Sequence, residues 1–323
     1  MKDPGDGRGM QCYGSTVSAP PTHPMPEQTA QTSATPLWLR IAPALFLLLW
    51  SSGFVFLKLG LQYADPLTFL ALRYACVTGL LILPCLLLRP RLPPGAAPWL
   101  HLAMIGLLIQ AGYFAFTYLS LKLGMSAGAV ALVTSQQPIL IGLLAPAVAG
   151  ERVDRIHWLG LALGVSGAAI VIGSRSSVEV GSLLALMFAI LALLAMTGGT
   201  LYEKRFGTSV HPVLANTVQC AVALAVTAPL AWWLEPMHIE WTPGLFGSLA
   251  YLVFGNSLVA ISLLLAMVRH GEASRVSALF FLVPPTTAVI AFVLLDEALP
   301  PMAWAGMALA AAGLHLVMRR RVG

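Results

Sequence analysis

Charge is scarce in this chain, and the scarcity excludes most soluble functions. Asp, Glu, Lys and Arg make up 10% of 323 residues, against about a quarter in soluble domains, while 58% are hydrophobic. That balance leaves an integral membrane protein. Acidic residues number only 13, and none falls near the centre of an apolar run, so an intramembrane carboxylate relay is missing. Four cysteines, Cys12, Cys76, Cys85 and Cys220, have no CxxC or Cys/His ligand spacing, which leaves no metal site or disulfide framework to expect. HExxH, a Walker loop and a nucleophile paired with a base within a span are also absent, so neither an enzyme nor a bound cofactor is expected. The formal net charge of +5 invites a nucleic-acid reading, but the basic residues sit at the ends of apolar runs rather than on one face. Membrane lipid is the partner this distribution predicts.

What is present is a series of apolar runs. Residues 1–36 are rich in Pro, Gly, Ser and Thr and lack apolar periodicity, so a disordered cytoplasmic tail is expected there, with no signal peptide. A start at Met10 or Met25 in place of Met1 would leave the runs intact. Ten candidate spans of roughly twenty residues follow: Ile41 to Leu61, Leu67 to Leu88, Trp99 to Leu121, Ser126 to Val148, His157 to Gly173, Gly181 to Tyr202, Pro212 to Leu234, Gly244 to Val268, Ala273 to Leu295 and Met302 to Met318.

The runs repeat. Pro138 and Pro284 stand 146 residues apart, and the same offset places Lys58 on Lys204, Pro66 on Pro212, Gln110 on Asn256, Glu151 on Glu297, Trp158 on Trp304, Gly160 on Gly306 and Gly167 on Gly313. One ungapped frame carrying all of these is a duplication. Each half, residues 41–173 and 181–318, holds five spans, an odd number, so the halves are expected to be inverted in the membrane. Of 18 Lys and Arg, Arg73 lies inside a span and Lys58, Lys122 and Arg175 lie on one side, which leaves 14 on the side of the termini. The positive-inside rule then puts both termini in the cytoplasm of a cell whose inner membrane the chain crosses. The expected fold is all-α, with ten transmembrane helices in two inverted five-helix repeats.

The centre of the design is Ser135-Gln136-Gln137-Pro138, three polar side chains and a proline at mid-membrane depth. Pro138 has no N–H for the Thr134 carbonyl, and a backbone break of this kind survives only inside protein or beside a watery cavity. Pro284-Pro285 interrupts the matching run. Paired interrupted helices point to the substrate site of a transporter. A passive channel or a non-transporting membrane scaffold is the alternative, but a channel needs a continuous polar file that the runs lack.

Trp50-Ser51-Ser52-Gly53 with Lys58, Asp65-Pro66, Arg73, mid-span Pro138, Gly150-Glu151, Trp158-Leu159-Gly160 and Gly167 together resemble the EamA domain of the drug/metabolite transporter superfamily. The resemblance spans about Ile41 to Met318 and implies a ten-helix inverted-repeat carrier that exports amino acids or related small metabolites. Met196 stands where Trp50 would repeat and Gln219 where Arg73 would, so a chemically lopsided cavity is expected.

Candidate substrate contacts are Gln136, Gln137 and Ser135, whose neutral hydrogen-bonding groups suit a neutral or zwitterionic metabolite, or equally can join helices. Gln110 and Asn256 carry the same two readings; Trp50 and Tyr113 are candidate cavity walls. Arg73 either pairs a substrate carboxylate or, the reading favoured on general grounds, snorkels outward or holds a neighbouring carbonyl or Asp65. Lys58 and Lys204 are expected as interfacial anchors, and Glu151 and Glu297 as caps of the helices that follow them, with a gating ion pair as the alternative. The small-residue faces of Gly160, Gly164 and Gly167, matched by Gly306 and Gly313, suit close packing within the chain or in a homodimer. With no central carboxylate, a facilitative carrier or exchanger fits better than a proton antiporter. Glu203 and Glu272, at the cytoplasmic edge, are the remaining acids for a proton.

Overall fold

A computed structural model describes residues 37–149, 155–173, 180–207, 210–263, 267, 282–297 and 300–319. The tail 1–36, Glu151, Glu272 and the first part of the Ala273 to Leu295 run lie outside the described residues. Helices are the expected answer to lipid, where each backbone N–H and C=O needs a partner within its own segment. They are α1 (Leu37–Gly60), α2 (Pro66–Leu88), α3 (Ala97–Lys122), α4 (Ala127–Thr134), α5 (Gln137–Ala149), α6 (Arg155–Gly173), α7 (Val180–Phe206), α8 (Pro212–Leu234), α9 (Pro243–Leu263), α10 (Val283–Leu295) and α11 (Pro301–Arg319). Among the described residues the sole β-pairing is an isolated bridge between Ala64 and Ile239.

Six helices, α1, α2, α3, α7, α8 and α9, are long and apolar enough to cross a membrane. The others are shorter or interrupted. The run from Ser126 to Val148, expected as one span, is two helices, α4 and α5, separated at Ser135-Gln136. Pro138 is the physical reason. The Ser135 N–H still reaches the Ala131 carbonyl at 2.9 Å, but the Gln136 N–H tightens onto Val133 at 3.2 Å, and α5 restarts with the Ile139 and Leu140 N–H groups both on the Gln136 carbonyl. Pro284 and Pro285 occupy the first turn of α10, where a missing N–H costs nothing.

Helix starts are set by local chemistry. Ser126 caps α4, its Oγ accepting the Ala129 N–H at 3.2 Å, and Thr242 caps α9 through the Leu245 N–H at 3.2 Å. Pro66 follows an extended Asp65 whose own carboxylate does not cap α2. Glu235, at the end of α8, does so instead: its two oxygens accept the Leu67 and Thr68 N–H groups, each at 2.8 Å. Asp65 in turn accepts the His238 N–H at 2.9 Å, and its own N–H donates to the His238 carbonyl at 3.1 Å. A carboxylate from one half thus serves a helix start in the other.

The two halves are related in the packing as they are in sequence. In the α6–α11 pair, Gly167 lies against the Gly306 carbonyl and Gly313 against the Gly160 carbonyl. Exchanging the halves by the 146-residue offset turns one contact into the other. A pseudo-twofold axis therefore passes between these helices, and the glycine faces meet inside the chain. Likewise α2 packs on α8, α1 on α10, and α7 on α5.

Candidate substrate site

Both α3 and α9 change to π-helical geometry in mid-span, at Gly106–Tyr113 and Tyr251–Ala260. The two segments coincide under the repeat offset, and each contains the amide residue of its half, Gln110 or Asn256. Widened turns of this kind release backbone and side-chain groups from the helix ladder and recur at functional sites. In α9 the Ser257 Oγ donates to the Leu252 carbonyl at 2.9 Å and accepts from Arg73 Nε at 3.2 Å and Nη2 at 2.9 Å. Asn256 Oδ1 accepts from Arg73 Nη2 at 3.0 Å, while its Nδ2 donates to the Leu49 carbonyl at 3.3 Å. Gly53 makes this approach possible, because a Cβ there would fall on the Asn256 amide. Ser52, next in line, is hydrogen-bonded to the Tyr251 hydroxyl.

Two small cavities lie side by side with a common wall of Trp50, Phe54 and Tyr113. The first is lined also by Gly53, Arg73, Phe114, Thr117 and Asn256, and the second by Thr134, Ser135, Gln137, Pro138, Met196 and Val283. Trp50 and Met196 are repeat-related, and so are Gln137 and Val283. Two symmetric pairs around one space put the pseudo-twofold axis through the second cavity. Its chemistry is lopsided: the first half contributes an indole and an amide, the second a thioether and an isopropyl group. Each cavity holds about 20 Å³, room for about one water molecule.

Of the residues singled out in sequence, Trp50, Arg73, Tyr113, Ser135, Gln137, Pro138 and Asn256 line these cavities. Gln137 Nε2 donates to Thr200 Oγ1 at 2.8 Å, joining α5 to α7 at the cavity edge. Gln136 lines neither cavity; its Nε2 bonds back to the Leu132 carbonyl at 3.1 Å and its Oε1 is buried beside Gly164 of α6. Gln110 lines neither, and accepts from the Tyr74 hydroxyl through its carbonyl and its side chain. Pro284 is buried next to the lining residue Val283, and Pro285 follows it in the first turn of α10.

Arg73 departs from the favoured reading. It neither snorkels nor holds Asp65, which is committed to His238. It is 2% exposed, with its guanidinium on Ser257, Asn256 and the Tyr118 hydroxyl and 4.7 Å from the Phe114 ring centroid. Phe54, Phe114 and Thr117 were not singled out. Phe54 and Thr117 each sit four positions after a lining residue, Trp50 and Tyr113 respectively, and that spacing is the signal that finds them; Phe114 has no such signal.

The profile of the EamA-like transporter family matches residues 38–173 and 183–319, one copy for each half. The chain belongs to the EamA-like transporter family. Among similar proteins, "Probable amino-acid metabolite efflux pump" proteins of Salmonella typhimurium strain LT2 and Escherichia coli strain K12 are 28% and 25% identical, each match covering 84% of this chain and 92% of the relative. The "Probable terminal-alkyne amino-acid exporter" of Streptantibioticus cattleyicolor is 28% identical over 85% of this chain and 91% of its own length. A solved crystal structure superposes with a TM-score of 0.63 at 19% identity, covering 88% of this chain and 98% of the other, which establishes the shared fold. In EamA terms the two matched copies are the halves whose symmetric residues surround the second cavity.

Proposed function

We propose that this EamA protein is a secondary carrier of the inner membrane that exports a small amino-acid-like metabolite by alternating access. Ten spans in two inverted five-helix halves, with both termini cytoplasmic, complete the topology. The observation that carries the reading is the second cavity, where Trp50 and Met196, and Gln137 and Val283, face one another across the pseudo-twofold axis. A site on that axis is presented to either side of the membrane by the same rocking motion of the two halves. At about 20 Å³ the cavities admit no metabolite as they stand, so loading requires the halves to part. Among the described residues the polar groups lining the cavities, Ser135, Gln137, Asn256, Arg73, Thr117 and Thr134, stand among apolar and aromatic neighbours rather than in a file. They suit orientation of one bound molecule against the aromatic wall of Trp50, Phe54 and Tyr113. The names of the relatives support export of amino-acid metabolites.

Counterflow in proteoliposomes loaded with a panel of amino acids and their N-acetyl derivatives tests this. Saturable uptake that is accelerated by internal substrate is expected. Linear, non-saturable flux of the whole panel, or no flux of any member, rejects the carrier reading.

A further inference from the structure

This inference rests on the carrier reading and names what the carrier takes. Arg73 is the sole basic residue well inside a span, and holding a guanidinium at that depth is expensive. Its surroundings do not neutralise it. Among the described residues its partners are two hydroxyls, one amide oxygen and an aromatic face, all uncharged: Ser257, Tyr118, Asn256 and Phe114. Among the described residues no Asp or Glu lines either cavity, and none of the chain's 13 acids falls near the centre of an apolar run. We infer that the transported molecule is a small carboxylate and that Arg73 receives its carboxyl group, so that the site selects monoanions and zwitterions and rejects cations.

The way the guanidinium is held supports this. Ser257 Oγ sits between Nε at 3.2 Å and Nη2 at 2.9 Å, the fork by which arginine grips a carboxylate, so a neutral hydroxyl occupies the place of an anionic oxygen. Among the described residues Nη1 has the weakest hold, a single contact of 3.4 Å to Tyr118, although it carries two N–H groups. An incoming carboxylate therefore gains one charge-assisted donor without breaking a good bond, and a second by displacing Ser257. Arg73 also lines the first cavity directly, where Trp50, Phe54, Tyr113 and Phe114 would receive an apolar body. The second half offers no equivalent. Gln219, which replaces Arg73 there, lines neither cavity, and its backbone packs against Gly106. One carboxylate per molecule is the consequence, and the loaded site is electrically neutral for a monoanion.

The test uses the full chain in proteoliposomes with N-acetyl-L-leucine, its primary amide, L-leucine and L-leucinamide as probes. N-acetylleucine and its amide have nearly the same shape, so their ratio reads the carboxylate alone. The expected result is counterflow of the two acids with the amides slower by roughly a hundredfold or more, as for a site built around a polar group that the analogue lacks. Arg73→Gln should remove that preference, Arg73→Lys should keep it with flux reduced roughly tenfold through loss of the fork, and both should unfold in detergent near the wild-type temperature. If the wild type carries amide and acid equally, or Arg73→Gln keeps the preference, the inference is overturned. Should Arg73→Gln fail to fold, the wild-type ratio and the lysine variant still decide. Saturable flux of the amides alone rejects this inference while sparing the carrier reading; no flux of any panel member rejects both.

Discussion

The Lys58 ammonium, in the last turn of α1, is ion-paired with the Glu297 carboxylate just past the end of α10, so that a cation of the first half is held by an anion of the second. Lys58 also donates to the Met125 carbonyl at 3.0 Å, and the other Glu297 oxygen accepts the Ala127 N–H at 3.2 Å, at the start of α4. Lys58 is therefore turned inward rather than anchoring at the interface, and among the described residues Glu297 serves the start of α4 rather than the helix that follows it. The pair closes the same end of the molecule at which Glu235 caps α2. The repeat-related pair would be Lys204 with Glu151, and Glu151 lies outside the described residues.

Glu297→Gln should destabilise the folded carrier by about 1–2 kcal/mol, since a charge-assisted bond is lost at a partly screened site. The double exchange Lys58→Glu with Glu297→Lys should recover only part of this, because a lysine at position 297 cannot accept the Ala127 N–H. Detergent unfolding temperatures of the wild type and the two variants check it. Full recovery in the exchange would show that the α4 contact contributes nothing.

Gln136 and Gln137 are neighbours in sequence but should differ in effect. Gln137→Leu removes an amide from the cavity edge and its bond to Thr200, and transport should fall severalfold or more while the protein stays folded; any loss of stability should be on the order of 1 kcal/mol. Gln136→Leu removes a buried Oε1 that has no partner among the described residues, and transport and stability should change little. Counterflow beside unfolding temperature separates the two. The reverse order of effects would remove Gln137 from the site.

A methyl group at Gly313 would meet the Gly160 carbonyl at 2.7 Å and the Gly164 nitrogen at 3.1 Å. These are backbone atoms of a packed helix, with no flexible side chain to yield, so Gly313→Ala should cost about 1–3 kcal/mol. Gly79, where a Cβ meets nothing within 4 Å, is the control and should accept alanine without loss. Equal behaviour of the two variants would mean that α6 and α11 do not pack this closely.

Reporter fusions should place Gly323 in the cytoplasm and the segment from Glu235 to Glu240 outside, as the asymmetry in loop Lys and Arg requires. Both reporters on one side would reject the inverted topology.

Membrane class, duplication and the surroundings of the two cavities were legible in the amino-acid string. Apolar content and a fixed 146-residue offset are properties of a one-dimensional string, and a proline removes a backbone donor whatever surrounds it. Trp50, Tyr113, Ser135, Gln137 and Asn256 were legible for that reason, as polar or aromatic residues at mid-span depth. Tertiary structure alone decided which way each side chain faces. Gln136 lies in the break before α5 and is buried against α6, while Gln137, the first residue of α5, reaches the cavity edge. Packing likewise decided which carboxylate meets which helix start, since Glu235 and Glu297 find α2 and α4 only after both halves have closed. Arg73 shows the division most clearly: its position inside a span was visible in the string, but that Asn256 and Ser257 of the other half would hold it at a cavity wall was fixed by the π-helical turn of α9, which no residue pattern announced.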